Sequence, residues 1–268
     1  LRHPRRFTSH APQGLDAALY LLRQHGDEPK LLAGGQRLLP LLSFRMAAPD
    51  HIVDINRLTC LDTLRRTATG WCIPALVRQR AVERSPEIAA TVPLLIQALE
   101  QVAHPQIRNR GTVCGSLAHA DAAAELPAVM LALEATMHLV SRAGERSISA
   151  EDFFVFHLTT AIADDELLLD VSVEDLRPRT YSSFQEFATR RGDFGVPEGE
   201  IGVVTHGLGA RGVSGHEAGF RARGEAIDEE QVDPLALDDA VGGERVTQVV
   251  PGVLRSDRPE ARFAGRCS

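Results

Sequence analysis

Two adjacent glycines, Gly34 and Gly35, separate two apolar runs in Leu31-Leu32-Ala33-Gly34-Gly35-Gln36-Arg37-Leu38-Leu39-Pro40. Glycine inside an element costs roughly 0.5–1 kcal/mol in conformational entropy relative to alanine. A pair placed there marks a tight turn or a close approach of backbone to something else. Upstream, Leu15, Ala18, Leu19 and Leu22 fall at i, i+3, i+4 and i+7, the stripe of an amphipathic helix, and Gly26 stands where a C-terminal cap belongs. Residues 30–33 read as a short strand and residues 36–46 as a helix that tolerates Pro40 only in its first turn. Residues 51–55 read as a second strand. The pattern predicts a βαβ unit with the glycines at the C-terminal end of its first strand.

Beyond it, residues 58–73 suggest a hairpin region, and residues 78–103 a helical stretch broken near Pro86 and Pro93. The segment His104-Pro105-Gln106-Ile107-Arg108-Asn109-Arg110-Gly111-Thr112-Val113-Cys114-Gly115-Ser116 is rich in turn formers and opens another apolar helical pattern. Residues 136–140 and 167–173 read as strands, with a helical or loop insertion, residues 149–162, between them. The composition shifts at Arg177-Pro178-Arg179, and after Asp193 the chain is glycine-rich and poorly periodic. A length of 268 residues suggests two or three compact units.

The formal charge of −7 and pI near 5.8 argue against a nucleic-acid or anionic-membrane surface. No run approaches the roughly 18 apolar residues of a membrane span, and the basic N-terminal residues are followed by no apolar core of a secretory signal. Four cysteines without any C-x-x-C encode neither a local iron–sulfur cluster nor a structural zinc. The expected location is a reducing cytoplasm.

Four motifs carry candidate chemistry. In Ala33-Gly34-Gly35-Gln36-Arg37 the missing side chains let backbone N–H groups face a phosphate at a helix N-terminus; a purely structural turn explains the same letters. Gly111-Thr112-Val113-Cys114-Gly115-Ser116, preceded by Arg108, Asn109 and Arg110, supplies flexible backbone, two hydroxyls and positive charge, a second phosphate cradle. Two such loops suit a dinucleotide gripped from both sides. His104, His119 and Asp121 could be imagined as metal ligands, but nothing fixes their geometry, and Asp121 reads better as a hydrogen-bond acceptor or a helix cap. Cys114 reads as a small neutral residue rather than a reactive thiol. Residues 207–212 match G-x-G-x-x-G letter for letter, yet no crossover helix or second strand follows, which excludes a Rossmann site.

Read together and in order, the two loops, the Asp-Phe-Phe of residues 152–154, the segment Asp164-Asp165-Glu166-Leu167-Leu168 and Arg190-Arg191-Gly192-Asp193-Phe194 resemble the FAD-binding medium subunit of molybdenum hydroxylases, the aerobic carbon monoxide dehydrogenase and xanthine dehydrogenase group. The resemblance covers about residues 1–195. It implies an α+β (α/β) fold of the vanillyl-alcohol-oxidase/PCMH type: FAD-binding subdomains at 1–57 and 58–176, and a small C-terminal α+β domain at 177–268. It also implies noncovalent FAD. Leu32, Ala33, Gly34, Gly35, Gln36, Arg37 and Leu38 would form one binding loop, and His104, Asn109, Gly111, Thr112, Val113, Cys114, Gly115, Ser116, Ala118 and Asp121 the other. Leu168, Arg191, Asp193 and Phe194 would complete the site. The family pattern has serine at Arg37, glycine at Cys114 and proline at Ala122; if Cys114 requires a positive φ, its loop is strained.

The resemblance implies no substrate chemistry on this chain. A large partner subunit would carry the molybdenum cofactor and a small one the [2Fe-2S] clusters, in a complex that could be a dimer of heterotrimers. The flavin would pass electrons to an external quinone, NAD, cytochrome or O2. The alternatives are a self-contained FAD-dependent oxidoreductase, and an interaction subunit that has lost FAD through Arg37 and Cys114.

Overall fold

The structure, a computed structural model, describes residues 3–26, 29–177, 180–185, 202–206, 212–216 and 219–223. The chain opens with β1 (Thr8–His10), α1 (Leu15–His25), β2 (Pro29–Leu32), α2 (Leu38–Phe44) and β3 (His51–Asp54). These strands form a parallel three-stranded sheet in the order β1-β3-β2. The expected βαβ unit is present as β2-α2-β3, and β1, too short and polar to show periodicity, adds its edge. Helix α1 ends at Gly26, whose φ of 61° a side chain would resist. It buries Ala18, Leu19 and Leu22, three of the four stripe residues. Helix α2 is shorter than the periodicity of residues 36–46 predicts, because Gly35 and Gln36 remain in the turn, and Pro40 sits in its first turn.

A second, antiparallel sheet follows. Strands β4 (Arg65–Arg66) and β5 (Gly70–Pro74) form the predicted hairpin. The next stretch is the broken helix: α3 (Gln79–Glu83), α4 (Pro86–Thr91) and α5 (Pro93–Gln101), with Pro86 and Pro93 each at a first helical position. Short α6 (Pro105–Arg108) and α7 (Val113–His119) flank the second glycine loop, and α8 (Glu125–Ala132) is buried along its whole length. Then come β6 (Thr136–Ser141), β7 (Gly144–Ser149), α9 (Ala150–Phe153), β8 (Phe154–Phe156), β9 (Thr159–Thr160) and β10 (Leu167–Glu174). The sheet order is β4-β5-β10-β6-β7. Strand β7, exposed along nearly all of its length, escaped the sequence reading; among the described residues it pairs only with β6. Two further ladders pair Tyr181–Gln185 with Gly202–His206 and Gly212–His216 with Gly219–Arg223.

Helices α5, α7 and α8 cover the larger sheet in a core containing Trp71, Ile73, Leu94, Leu95, Leu99, Leu117, Leu126, Met130 and Val171. At its rim lies a buried ion pair. Arg108 Nε donates to Glu83 Oε2 at 2.8 Å, and its Nη1 donates to the carbonyls of Val102 and Ala103. Burial alone would raise the Glu83 pKa, but hydrogen bonds from Arg108 and Arg80 outweigh it and hold the carboxyl below its usual value. The folded pKa is depressed, so the pair stabilises the fold above the unfolded carboxylate pKa, and that contribution is lost as pH falls through the folded value. Removing one partner strands the other charge. Glu83→Gln should therefore lower stability in urea unfolding at neutral pH by about 3 kcal/mol, and less of the remaining stability should be lost on acidification.

Candidate functional site

The two glycine loops meet. Gly34, just beyond β2, lies against Arg110, Gly111 and Thr112: a Cβ built on it would stand 2.5 Å from the Arg110 carbonyl oxygen and 2.8 Å from the Gly111 Cα. Only glycine, a residue type without a Cβ, allows backbone to pass backbone this closely. Gly35 next to it has φ 74°, where a side chain is strained. The pair thus has two separate tasks, a close approach and a left-handed turn.

Polar groups fix each loop. The Asn56 carboxamide donates to the carbonyls of Ala33 (2.8 Å) and Leu32 (3.3 Å), and Gln36 Nε2 donates to the Gly34 carbonyl. Arg78 Nη2 donates to Asn56 Oδ1 (2.8 Å) and its Nη1 to the Arg110 carbonyl (2.7 Å), so one guanidinium ties the two loops together. The second loop is also stitched to the chain before α3: Gln79 N–H donates to the Gly111 carbonyl and Val113 N–H to that of Val77. Thr112 caps α7, its hydroxyl accepting from Gly115 N–H at 3.0 Å. A Cβ on Gly115 would stand 2.6 Å from that hydroxyl.

These loops border a cleft of about 880 Å³, within the roughly 300–1,000 Å³ of small-molecule sites. Of the expected residues, Ala33, Gly34, Gly35, Gln36, Arg37, Leu38, Gly111, Thr112, Cys114, Gly115, Ser116, Ala118 and Leu168 line it. Leu32 and Asn109 line a smaller neighbouring cavity of about 350 Å³, together with Ala33, Gly34, Asp54, Asn56 and Arg78. Three expectations place differently. His104 is the exposed residue before α6 and lines neither cavity. Val113 is fully buried behind the loop. Asp121 pairs with Arg37 at 3.1 Å and accepts from Ala123 N–H, a turn before α8 rather than its cap. Arg191, Asp193, Phe194 and residues 207–211 lie outside the described residues.

The structure bears on four readings of the site's chemistry. Arg108, read as positive charge for a phosphate, is buried and engaged with Glu83. Cys114 lies within α7 and is not among the residues of positive φ, so its loop carries no such strain. Its thiol donates to the Ile73 carbonyl, and burial, then the Asp170 charge, push its pKa well above the ordinary value, which leaves it unreactive. His119 lines the cleft with its pKa lowered, first by burial and then by Arg37, so it is neutral at pH 7. Among the described residues, His104, His119 and Asp121 do not form a metal cluster.

Asn56, Arg78 and Gln79 were missed. A polar side chain directly after the strand of residues 51–55, and Arg-Gln directly after the apolar Ile73-Pro74-Ala75-Leu76-Val77, were the available signals. Gln79 is 4% exposed and lines the cleft, and its Oε1 has no hydrogen-bond partner among the described residues. A buried, unpaired acceptor beside two side-chain-free loops fits a polar ligand.

Paired glycine loops, flanking a ligand-sized cleft between a parallel and an antiparallel sheet, define an α+β nucleotide-cofactor fold. The chain belongs to the family described as the FAD binding domain in molybdopterin dehydrogenase, which it matches over residues 5–173. It is 44% identical over 191 residues to the 6-hydroxypseudooxynicotine dehydrogenase complex subunit alpha of Paenarthrobacter nicotinovorans, covering 71% of this chain and 64% of that one. It is 35% identical over 191 residues to the carbon monoxide dehydrogenase medium chain of Hydrogenophaga pseudoflava, with 71% and 67% covered. The chain thus spans about two-thirds of these relatives' length. Among solved structures, it is similar to carbon monoxide dehydrogenase from Hydrogenophaga pseudoflava (TM-score 0.78, 31% identity, 85% of this chain and 83% of that one). It is also similar to quinoline 2-oxidoreductase from Pseudomonas putida 86 (TM-score 0.75, 34% identity, the same coverage).

Gly34→Ala should part the loops, since its Cβ meets backbone rather than a movable side chain. It should cost about 1–3 kcal/mol, read as a lower thermal midpoint, and abolish flavin retention on gel filtration.

Proposed function

We propose that this chain binds FAD noncovalently across the two glycine loops and serves as the flavin subunit of a molybdenum-containing oxidoreductase. The observation that carries the proposal is the contact of Gly34 with Arg110, Gly111 and Thr112, which sets both loops on one cleft. The pyrophosphate would face the backbone N–H groups of residues 34–37 beside the first turn of α7. The Gln79 carboxamide oxygen would accept a hydrogen bond from a ribose hydroxyl. Arg37 would add positive charge at the phosphate end while Asp121 fixes its direction. Bound FAD would supply one- and two-electron redox chemistry. The chain's own part is to hold and orient it and to exclude water with Leu38, Leu158, Ile162 and Leu168 around the cleft.

The side chains at the cleft support this division of labour. The buried Cys114 thiol stays protonated and so provides no thiolate nucleophile. Electrons would arrive from [2Fe-2S] clusters on a small partner subunit, after substrate oxidation at a molybdenum cofactor on a large one, and leave to an external acceptor. No helix among the described residues is long and apolar enough to cross a membrane.

The test is the visible spectrum of the untagged chain, followed by acid release and chromatography of the chromophore. Oxidised-flavin bands with FAD in the soluble fraction are expected. A colourless chain that stays colourless after incubation with FAD contradicts the assignment, and flavin retained by the acid precipitate contradicts noncovalent attachment.

A further inference from the structure

On the parallel sheet, where the end of α1 packs over it, three imidazoles converge. His10 ends β1, His25 ends α1 and His51 begins β3. Thr8 pairs with His51 and His10 with Val53 in parallel register, so His10 and His51 lie on one face of neighbouring strands. The end of α1 brings His25 over them. Ring centroids are 3.8 Å apart for His25 and His51, 5.3 Å for His10 and His51, and 5.6 Å for His10 and His25. One ring nitrogen from each lies within 4.8 Å of the others, and among the described residues this is the one such group of three. All three residues are half-buried.

We propose that His10, His25 and His51 form a binding site for a divalent transition-metal ion of the zinc type, with a fourth position open to solvent. Three neutral imidazoles and no carboxylate in the ligand set favour zinc, copper or nickel over magnesium or calcium. Tetrahedral zinc with Zn–N bonds of about 2.0–2.1 Å needs nitrogens about 3.3 Å apart. His10 Nε2 and His51 Nδ1 already stand 3.0 Å apart in a hydrogen bond. The ion takes the place of the proton between them, and the ring that donated it stays neutral by carrying a proton on its other nitrogen instead, exchanged through solvent. His25, stacked at 26° on His51, must rotate about its side-chain bonds to aim its nitrogen at the same point. Its position at a helix end permits this. The ion then ties the C-terminus of α1 to two strands, and none of the three histidines is among the residues lining the cleft.

The untagged full-length chain, stripped with EDTA and exchanged into metal-free buffer, is titrated with zinc chloride against a chromophoric chelator. About one ion per chain is expected to bind at micromolar zinc, with a rise in the thermal midpoint. Cobalt chloride in its place should give visible d–d bands of a low-coordinate, nitrogen-ligated ion. His25→Ala with His51→Ala should lose both the stoichiometric ion and the thermal shift. Imidazole ¹⁵N spectra of the unmutated chain keep the test independent of whether that variant folds: zinc should shift the resonances of three histidines. Unshifted imidazole resonances, no stoichiometric zinc, or equal zinc in the double variant would overturn the proposal. The flavin assignment is unaffected by any of these results.

Discussion

The contact of Gly34 with the Arg110–Thr112 backbone is the constraint on which the rest of the structure depends. It joins two loops that belong to different sheets, and it is possible only because position 34 carries no Cβ. The neighbouring groups serve that contact. Asn56 holds the carbonyls before Gly34, and Arg78 bridges Asn56 to the Arg110 carbonyl. Burial and the nearby Arg110 lower the Arg78 pKa without bringing it into reach of neutrality for a guanidinium. The Glu83–Arg108 pair anchors α6, from which the second loop emerges. A cleft between sheets would otherwise be a hinge; here backbone and a single cation close its floor.

The chemistry follows from that floor. Gly34 lets the two loops touch, Gly35 takes the left-handed turn, and the helix-capping Thr112, accepting from Gly115 N–H, keeps the first turn of α7 in place. Burial keeps the Cys114 thiol protonated, and burial with Arg37 keeps the His119 imidazole neutral. A site of this kind positions a cofactor that brings its own reactivity. Arg37, which departs from the serine of the family pattern, is partly neutralised by Asp121 across the two loops, so its bulk is aimed along the cleft wall.

Much of this was legible in the sequence, for reasons that differ by element. Helix α1 was readable to its last residue because its stripe and its Gly26 cap agree. The helix breaks at Pro86 and Pro93 were readable because proline fixes its own position in a first turn. Strands β1 and β7 were not, being short or solvent-facing, with pairing supplied by distant partners. In the site, the glycines announced themselves, whereas Asn56, Arg78 and Gln79 act through contacts 22 to 32 residues away along the chain that spacing does not reveal. The same limit applies to Arg108, whose charge suggested a phosphate until its burial beside Glu83 was seen, and to the three histidines of β1, α1 and β3. The strain expected at Cys114 rested on analogy with a glycine, and helical backbone there removes it.

The central claim is that the two touching loops recognise a pyrophosphate, not merely a flavin ring. Isothermal titration of the flavin-free chain with FAD, FMN and riboflavin tests it most directly. The account predicts tight FAD binding, with FMN and riboflavin weaker by about a hundredfold or more, equivalent to about 2.7 kcal/mol. Equal affinity for the three would contradict it, because the loops would then contribute nothing that the ring alone does not.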